Sequence, residues 1–263
     1  MKIGNCSSTK LYKETVEAGY DYIEVPGVEL AEFTEEEFEA VKAEILAGPI
    51  PCLAVNAYAK QYPKMVGDEV DDEKTREYAE LIVSRASQLG AKTVGIGAPN
   101  LRKVPEGYDK KKAWEQGKRF LTITADVAAK YGITILFESV HDWMCNFCCY
   151  VDEVNDMIND VNHPNLKMVY DYYHMKPMGT DIFDIEKYMK NIYHLHTSGI
   201  DENRKRPQLN DSDYDELVKI FKSVTACGYD RTFSNESDNT NLTTEGKYAC
   251  ELMKKAHLEA VGK

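Results

Sequence analysis

Residues 132–174, GITILFESVHDWMCNFCCYVDEVNDMINDVNHPNLKMVYDYYH, decide the fold. An apolar run, Ile133–Glu138, ends in an acid. A loop and a helical pattern, Val151–Val161, come next, and a second apolar run, Leu166–Asp171, again ends in an acid. Two strand-like runs joined through a helix make a βαβ unit, the repeating element of a parallel sheet. The same alternation extends to both ends of the chain. Further strand runs are expected at Lys2–Cys6, Tyr20–Glu24, Cys52–Asn56, Thr93–Gly97, Ile192–His196 and Thr232–Glu236. Helical patterns are expected at Leu11–Ala18, Glu35–Leu46, Asp72–Leu89, Lys110–Tyr131, Ile182–Lys190, Tyr214–Cys227 and Thr243–Ala260. In the third helical pattern from the N-terminus, Tyr78, Leu81, Ile82, Ala86 and Leu89 recur at spacings of three and four, which marks one inward-facing apolar stripe. Gly19, Gly90, Gly132 and Gly228 each stand between a helix and a strand, where a residue at positive φ ends the helix.

Eight strand–helix units nearly exhaust the 263 residues, and no linker rich in Pro, Gly or Ser divides them. The expectation is a single α/β domain over residues 1–263, an eight-stranded parallel (β/α)8 barrel. An open, doubly wound sheet would bind a nucleotide through a glycine-rich first turn. The first turn here is CSSTK, and neither GxGxxG nor GxxxxGK[ST] occurs.

The chain carries 32 basic and 44 acidic side chains, a formal charge of −12, which opposes binding to a polyanion such as nucleic acid. A small neutral ligand suits it better. Residues 1–25 lack the apolar core of a signal peptide, and no apolar stretch is long enough to span a membrane, so a cytoplasmic, membrane-free protein is expected. Seven cysteines, an odd number, read as reduced thiols. Cys145, Cys148 and Cys149 form a CxxCC cluster, but no second half-site accompanies it to complete a structural zinc site.

In a barrel, the carboxyl ends of all strands converge on one rim. The runs ITILF, LKMVY, NIYHL and RTFSN there lead into Glu138, Asp171, His196 and Glu236. One acid after a strand is as readily a helix cap, but four potential ligands on consecutive strands indicate a metal site. Three carboxylates and an imidazole suit Mn²⁺, Mg²⁺, Co²⁺ or Zn²⁺.

The motifs FES at Glu138, DYYH at Asp171–His174, HLHTSG at His194–Gly199 and FSNES at Glu236 resemble the xylose isomerase-like superfamily of sugar isomerases and epimerases. The resemblance is strongest to its ketose 3-epimerase and inosose dehydratase branches. It covers essentially the whole chain, including GYDYIEV near the N-terminus and YDELVKIFKSVTACGYDRTF before the last ligand. It implies that Glu138, Asp171, His196 and Glu236 hold one divalent ion, usually Mn²⁺, and that Glu138 and Glu236 exchange a proton with one carbon of the substrate. It also implies that His174 meets a substrate oxygen and that Arg204 or Arg206 fixes substrate hydroxyls. His194, two residues before the ligand on the same face, reads as a packed, hydrogen-bonded core histidine.

One departure concerns position 144, where ketose 3-epimerases carry a glutamate that holds terminal hydroxyls; here it is Met144. Near it, His141 is a candidate acid or base at the pocket rim, and Trp143, with Phe147 and Tyr150, suits an apolar face of a substrate. The expected activity is therefore that of a metal-dependent isomerase or epimerase acting next to the carbonyl of a ketose or keto-polyol. A lyase is the alternative: an inosose-type dehydratase, or the α subunit of a C-glycoside deglycosylase with its small β subunit. A non-catalytic sugar-binding barrel is the third reading. The family's DNA-repair branch is disfavoured by the charge and by the small number of histidines, six. Pairing into a homo-oligomer is expected from the family.

Overall fold

The computed structural model describes residues 1–262. Its strands are β1 (Lys2–Cys6), β2 (Tyr22–Pro26), β3 (Cys52–Asn56), β4 (Thr93–Ile96), β5 (Thr134–Glu138), β6 (Leu166–Asp171), β7 (Ile192–Thr197) and β8 (Thr232–Asn235). Each pairs in parallel with the next, and β8 closes on β1, so the order around the barrel is the order in the chain. The helices are α1 (Tyr12–Glu17), α2 (Gly27–Glu32), α3 (Glu35–Ala47), α4 (Asp72–Gln88), α5 (Lys110–Lys130), α6 (Val151–Val161), α7 (Tyr172–Met175), α8 (Tyr214–Ala226) and α9 (Lys247–Ala260). A (β/α)8 barrel is what the alternating pattern predicts. No helix among the described residues is long and apolar enough to cross a membrane.

Local chemistry sets the element ends. Asp71 and Asp109 cap α4 and α5 by accepting backbone N–H bonds from the second and third helical residues, and Thr34 with Glu37 forms a capping box on α3. The helix-ending glycines adopt positive φ: 86° at Gly19, 91° at Gly90, 65° at Gly132 and 76° at Gly228.

Three expectations need correction. Strand β2 begins at Tyr22, because Tyr20 leaves the sheet to donate its hydroxyl to the carbonyl of Gly246. The expected helix Ile182–Lys190 is only a 3₁₀ turn, Glu186–Tyr188. Ile182, Ile185 and Tyr188 are buried at spacings of three, which a 3₁₀ turn satisfies as well as an α-helix. The last helical segment opens with a π turn, Leu242–Gly246, before α9. Helices α2 and α7 are short additions without a sequence expectation.

Period-two alternation places Tyr22 and Glu24 of β2, His194 and His196 of β7, and Thr232 and Ser234 of β8 on the barrel's inner side, where their contacts lie. Space for this polar interior comes partly from Gly4 on β1. A Cβ there would overlap the ring of Tyr22, so no larger residue lets that ring cross the barrel.

Candidate active site

Glu138 ends β5, Asp171 ends β6, His196 lies near the end of β7, and Glu236 follows β8 directly. Register brings them to one level: Glu138 is opposite Val169 on β6, and Asp171 is opposite His196 on β7. Their candidate ligand atoms all lie within 4.8 Å of one another. His196 Nδ1 is 3.2 Å from Glu236 Oε2 and 3.6 Å from Glu138 Oε1. Just past neighbouring β4, Gly97 makes room for the Glu138 carboxylate, because any Cβ there would overlap it.

Two atoms of this cluster, Glu138 Oε1 and His196 Nδ1, are buried without a hydrogen-bond partner. Such orphans cost free energy, and these two lie together among the ligand atoms of one cluster. A cation between them would satisfy both, and three oxygens with one nitrogen form a donor set suited to a divalent ion. The residues fit the metal that the sequence implies.

The electrostatics point the same way. Burial, reinforced by Glu236 and Asp171, pushes the Glu138 carboxyl up to about 7 against the pull of His196. Burial also acts to raise Asp171, but Arg206, His174 and His196 outweigh it and hold that carboxyl below its usual range. For His196, burial opposes charge, yet Glu24, Cys6 and Glu236 raise its pKa well above the ordinary value. Positive charge is therefore favoured at this imidazole, and a metal ion would take the place of its proton.

Of the two candidate arginines, Arg206 faces the cluster. Its Nη2 lies 2.7 Å from Asp171 Oδ2, its Nη1 lies 2.9 Å from Glu236 Oε2, and the guanidinium rests 3.9 Å over the Tyr173 ring. Arg204 turns outward and lies 4.2 Å over the ring of Trp143.

Arg206 also fixes the tautomers of two histidines. A guanidinium only donates, so His174 Nε2, 3.0 Å from Arg206 Nη2, must accept. His174 Nδ1 then carries the hydrogen and donates to His141 Nδ1 at 3.0 Å, and His141 Nε2 in turn donates to the Tyr173 carbonyl at 3.2 Å. Burial agrees with two neutral rings: it pushes His141 down to about 4 and His174 well below its ordinary value. His141 was expected at the rim. It is instead fully buried, with both nitrogens engaged and its ring stacked 3.6 Å from that of Trp143. It reaches the cluster only through His174. Trp143 and Met144 remain at the rim, 40% and 41% exposed.

Asn56 and Arg102 lay beyond the sequence reading. Asn56 at the end of β3 donates to Glu236 Oε1 at 3.1 Å. Arg102, fully buried, lies 4.7 Å over the Phe137 ring and reaches the Cys148 carbonyl at 3.4 Å, which ties the β4–α5 loop to the loop carrying His141. Cys145, Cys148 and Cys149 are buried free thiols and, among the described residues, join no group of metal-ligating side chains. Glu24 on β2 is buried beneath His196, with Oε1 3.1 Å from His196 Nε2. Its one sequence signal is an acid at the end of the expected strand Tyr20–Glu24, a place that could line the pocket but has no discriminating spacing.

A family model described as a xylose isomerase-like TIM barrel matches residues 12–256. An inosose isomerase of Bacillus velezensis is 28% identical over 225 residues, covering 78% of this chain and 75% of the relative. Among solved structures, the D-psicose 3-epimerase of Clostridium cellulolyticum H10 superposes with a TM-score of 0.81 at 18% identity, over 98% of this chain and 99% of that one. The 3-keto-D-glucoside 4-epimerase of E. coli gives 0.75 at 16% identity, over 97% and 99%. At such identities these structures speak for the fold alone.

Proposed function

The chain belongs to the xylose isomerase-like TIM barrel family, and from that premise we propose that it is a divalent-metal-dependent isomerase or epimerase acting beside the carbonyl of a keto-polyol or ketose. The observation that carries this reading is the cluster of Glu138, Asp171, His196 and Glu236, with its two buried, unpartnered atoms. These four residues would hold one divalent ion, Mn²⁺ before Mg²⁺, Co²⁺ or Zn²⁺, whose chemistry is to polarise a carbonyl and a neighbouring hydroxyl.

The proton work falls to side chains. Glu138 and Glu236 arise from strands separated by β6 and β7, so they approach a bound substrate from different walls of the barrel. A positioned carboxylate can take a proton from a carbon acid and return it, the part that Glu138 plays here. Glu236 is oriented by Asn56 and Arg206. Arg206, beside these carboxylates, is placed to meet substrate oxygens, and His174, with both nitrogens engaged, backs the guanidinium. The lyase reading rested on a free histidine at the rim, and both nitrogens of His141 are engaged.

Met144 and Trp143 give the rim an apolar edge, where the ketose 3-epimerase pattern has a carboxylate. That edge favours a cyclic keto-polyol, which presents no terminal hydroxymethyl group to anchor. The name of the Bacillus velezensis relative is in keeping with such a substrate.

The test is isotope exchange. Manganese-loaded protein in deuterated water should wash deuterium into the carbon next to the carbonyl of a keto-inositol, less readily into that of an open-chain ketose, and stripping the metal should stop the exchange. No exchange with either class, or exchange indifferent to metal removal, would overturn the proposal.

A further inference from the structure

Beneath the carboxylate cluster lies a second polar layer to which no role is yet assigned. Glu24, 1% exposed, accepts from three directions. His194 Nε2 lies 2.7 Å from Oε2, Ser234 Oγ lies 2.6 Å from Oε2, and His196 Nε2 lies 3.1 and 3.2 Å from the two oxygens. We infer that Glu24 is the positioning residue of the metal centre: it holds the hydrogen of His196 on Nε2 and so leaves the Nδ1 lone pair facing Glu138, Asp171 and Glu236. The inference rests on the metal reading and goes beyond it, because it names the group that makes His196 a ligand.

The donors around Glu24 fall in one order. An ionised carboxylate accepts and never donates. His194 Nε2 therefore carries a hydrogen for Glu24, and His194 Nδ1 is hydrogen-bonded to the Thr232 hydroxyl at 2.7 Å. Ser234 spends its hydrogen on Glu24, so Tyr22, 2.7 Å away, must donate to Ser234. His196 Nε2 has no remaining role but to donate to Glu24. Each side chain of the layer fixes the next, and the chain of donors ends at the nitrogen opposite the carboxylate cluster. A carboxylate behind a ligating imidazole also raises the basicity of the ligating nitrogen.

Cys6 Sγ, 3.8 Å from His196 Nε2, completes a grouping with Glu24 and His196 that resembles a second ion site. The hydrogen bonds argue otherwise. Both Glu24 oxygens already have donors, and an ion there would displace the very hydrogen that orients His196.

The experiment compares Glu24→Gln with the wild-type chain. The amide keeps the size of the side chain but can offer N–H to His196 Nε2, which moves the hydrogen to Nδ1 and turns it against the ion. The Mn²⁺ dissociation constant, read from free Mn²⁺ by electron paramagnetic resonance, should rise about 10–100-fold. Glu24→Asp, which keeps the charge, should recover part of that loss. A purely structural role would lower the thermal midpoint of the metal-free variant while the folded fraction kept wild-type affinity, and that result would overturn the inference. Wild-type protein that bound no Mn²⁺ would instead bring down the metal reading itself. Should Glu24→Gln fail to fold, imidazole ¹⁵N–¹H correlation on the zinc-loaded wild-type protein decides: hydrogen on Nε2 of His196 with Nδ1 bound to the ion supports the inference, and the reverse arrangement refutes it.

Discussion

Two clusters of buried acids and imidazoles meet across the ring of His196, and they differ in what they leave unpaired. On the Nε2 side, Glu24, His194, Ser234, Thr232 and Tyr22 form a layer in which every donor finds an acceptor. On the Nδ1 side, Glu138 and His196 each keep a buried atom without a partner, and three carboxylates crowd together. Both layers are polar and both are enclosed by the barrel. Burial alone therefore does not mark the working site, and neither does a lone orphan, since the Tyr58, Tyr170 and Tyr172 hydroxyls are also buried without a partner; two orphaned atoms converging among three carboxylates do. A saturated network fixes geometry, whereas an unsaturated one holds a place for a ligand.

The contrast is broken most forcefully on the open side. Glu138→Gln and Glu236→Gln should each lower kcat by about 10²–10⁴-fold, the usual worth of a positioned acid or base. Because Glu138→Gln also removes one of the crowded carboxylates, the metal-free variant should melt no lower than the metal-free parent at pH 8. Unaltered turnover in both variants, or a collapse in thermal midpoint, would place Glu138 in the same class as the saturated layer.

Proton competition sharpens the contrast next. Glu138 is raised to about 7 in the metal-free protein, against an ordinary value of 4.5. A carboxyl raised in this way contributes stability that is fully present below about 4.5 and is lost as the pH rises through about 7. The ion must bind the ionised form. Each pH unit below about 7 should then cost a further factor of about ten in Mn²⁺ affinity. Between about 4.5 and 7, the stabilisation of the metal-free fold by this group should decline as the pH rises. Calorimetric titration with Mn²⁺ from pH 5 to 8 measures the slope, and Glu138→Gln should remove the added steepness below 7.

How much of this was legible in sequence follows from the range of the interactions. Strand ends such as Glu138 and Asp171 announce themselves locally, as an acid closing an apolar run, and the barrel does the rest by aligning the ends. The helix expected over Ile182–Lys190 failed because spacings of three do not distinguish a 3₁₀ turn from an α-helix. Glu24 was visible only as an acid at a strand end that could line the pocket. Its partners His194, His196 and Ser234 lie 170, 172 and 210 residues further on, so no spacing rule connects them. The position of His141 was misread for a similar reason. Its acceptor, the Tyr173 carbonyl, and its cover, Trp143, depend on how two loops meet.

The smallest effect belongs to the saturated side. Ser234→Ala takes one donor from Glu24 and leaves the Tyr22 hydroxyl without its acceptor, while the hydrogen bonds from His194 and His196 to Glu24 remain. The cost should be about 1–2 kcal/mol of stability, the range for a lost buried hydrogen bond and its orphaned partner. For a chain of this size, that is a fall of roughly 2–8 °C in the midpoint of the metal-free protein. Mn²⁺ affinity should hold within about threefold, since Glu24 keeps its grip on Nε2 of His196 and loses only a competing donor. Differential scanning calorimetry beside a Mn²⁺ titration separates the two quantities. A large loss of affinity with an unchanged midpoint would mean that the layer orients His196 through Ser234 instead of through the Glu24 carboxylate, and the division between a saturated support and an open site would have to be redrawn one side chain lower.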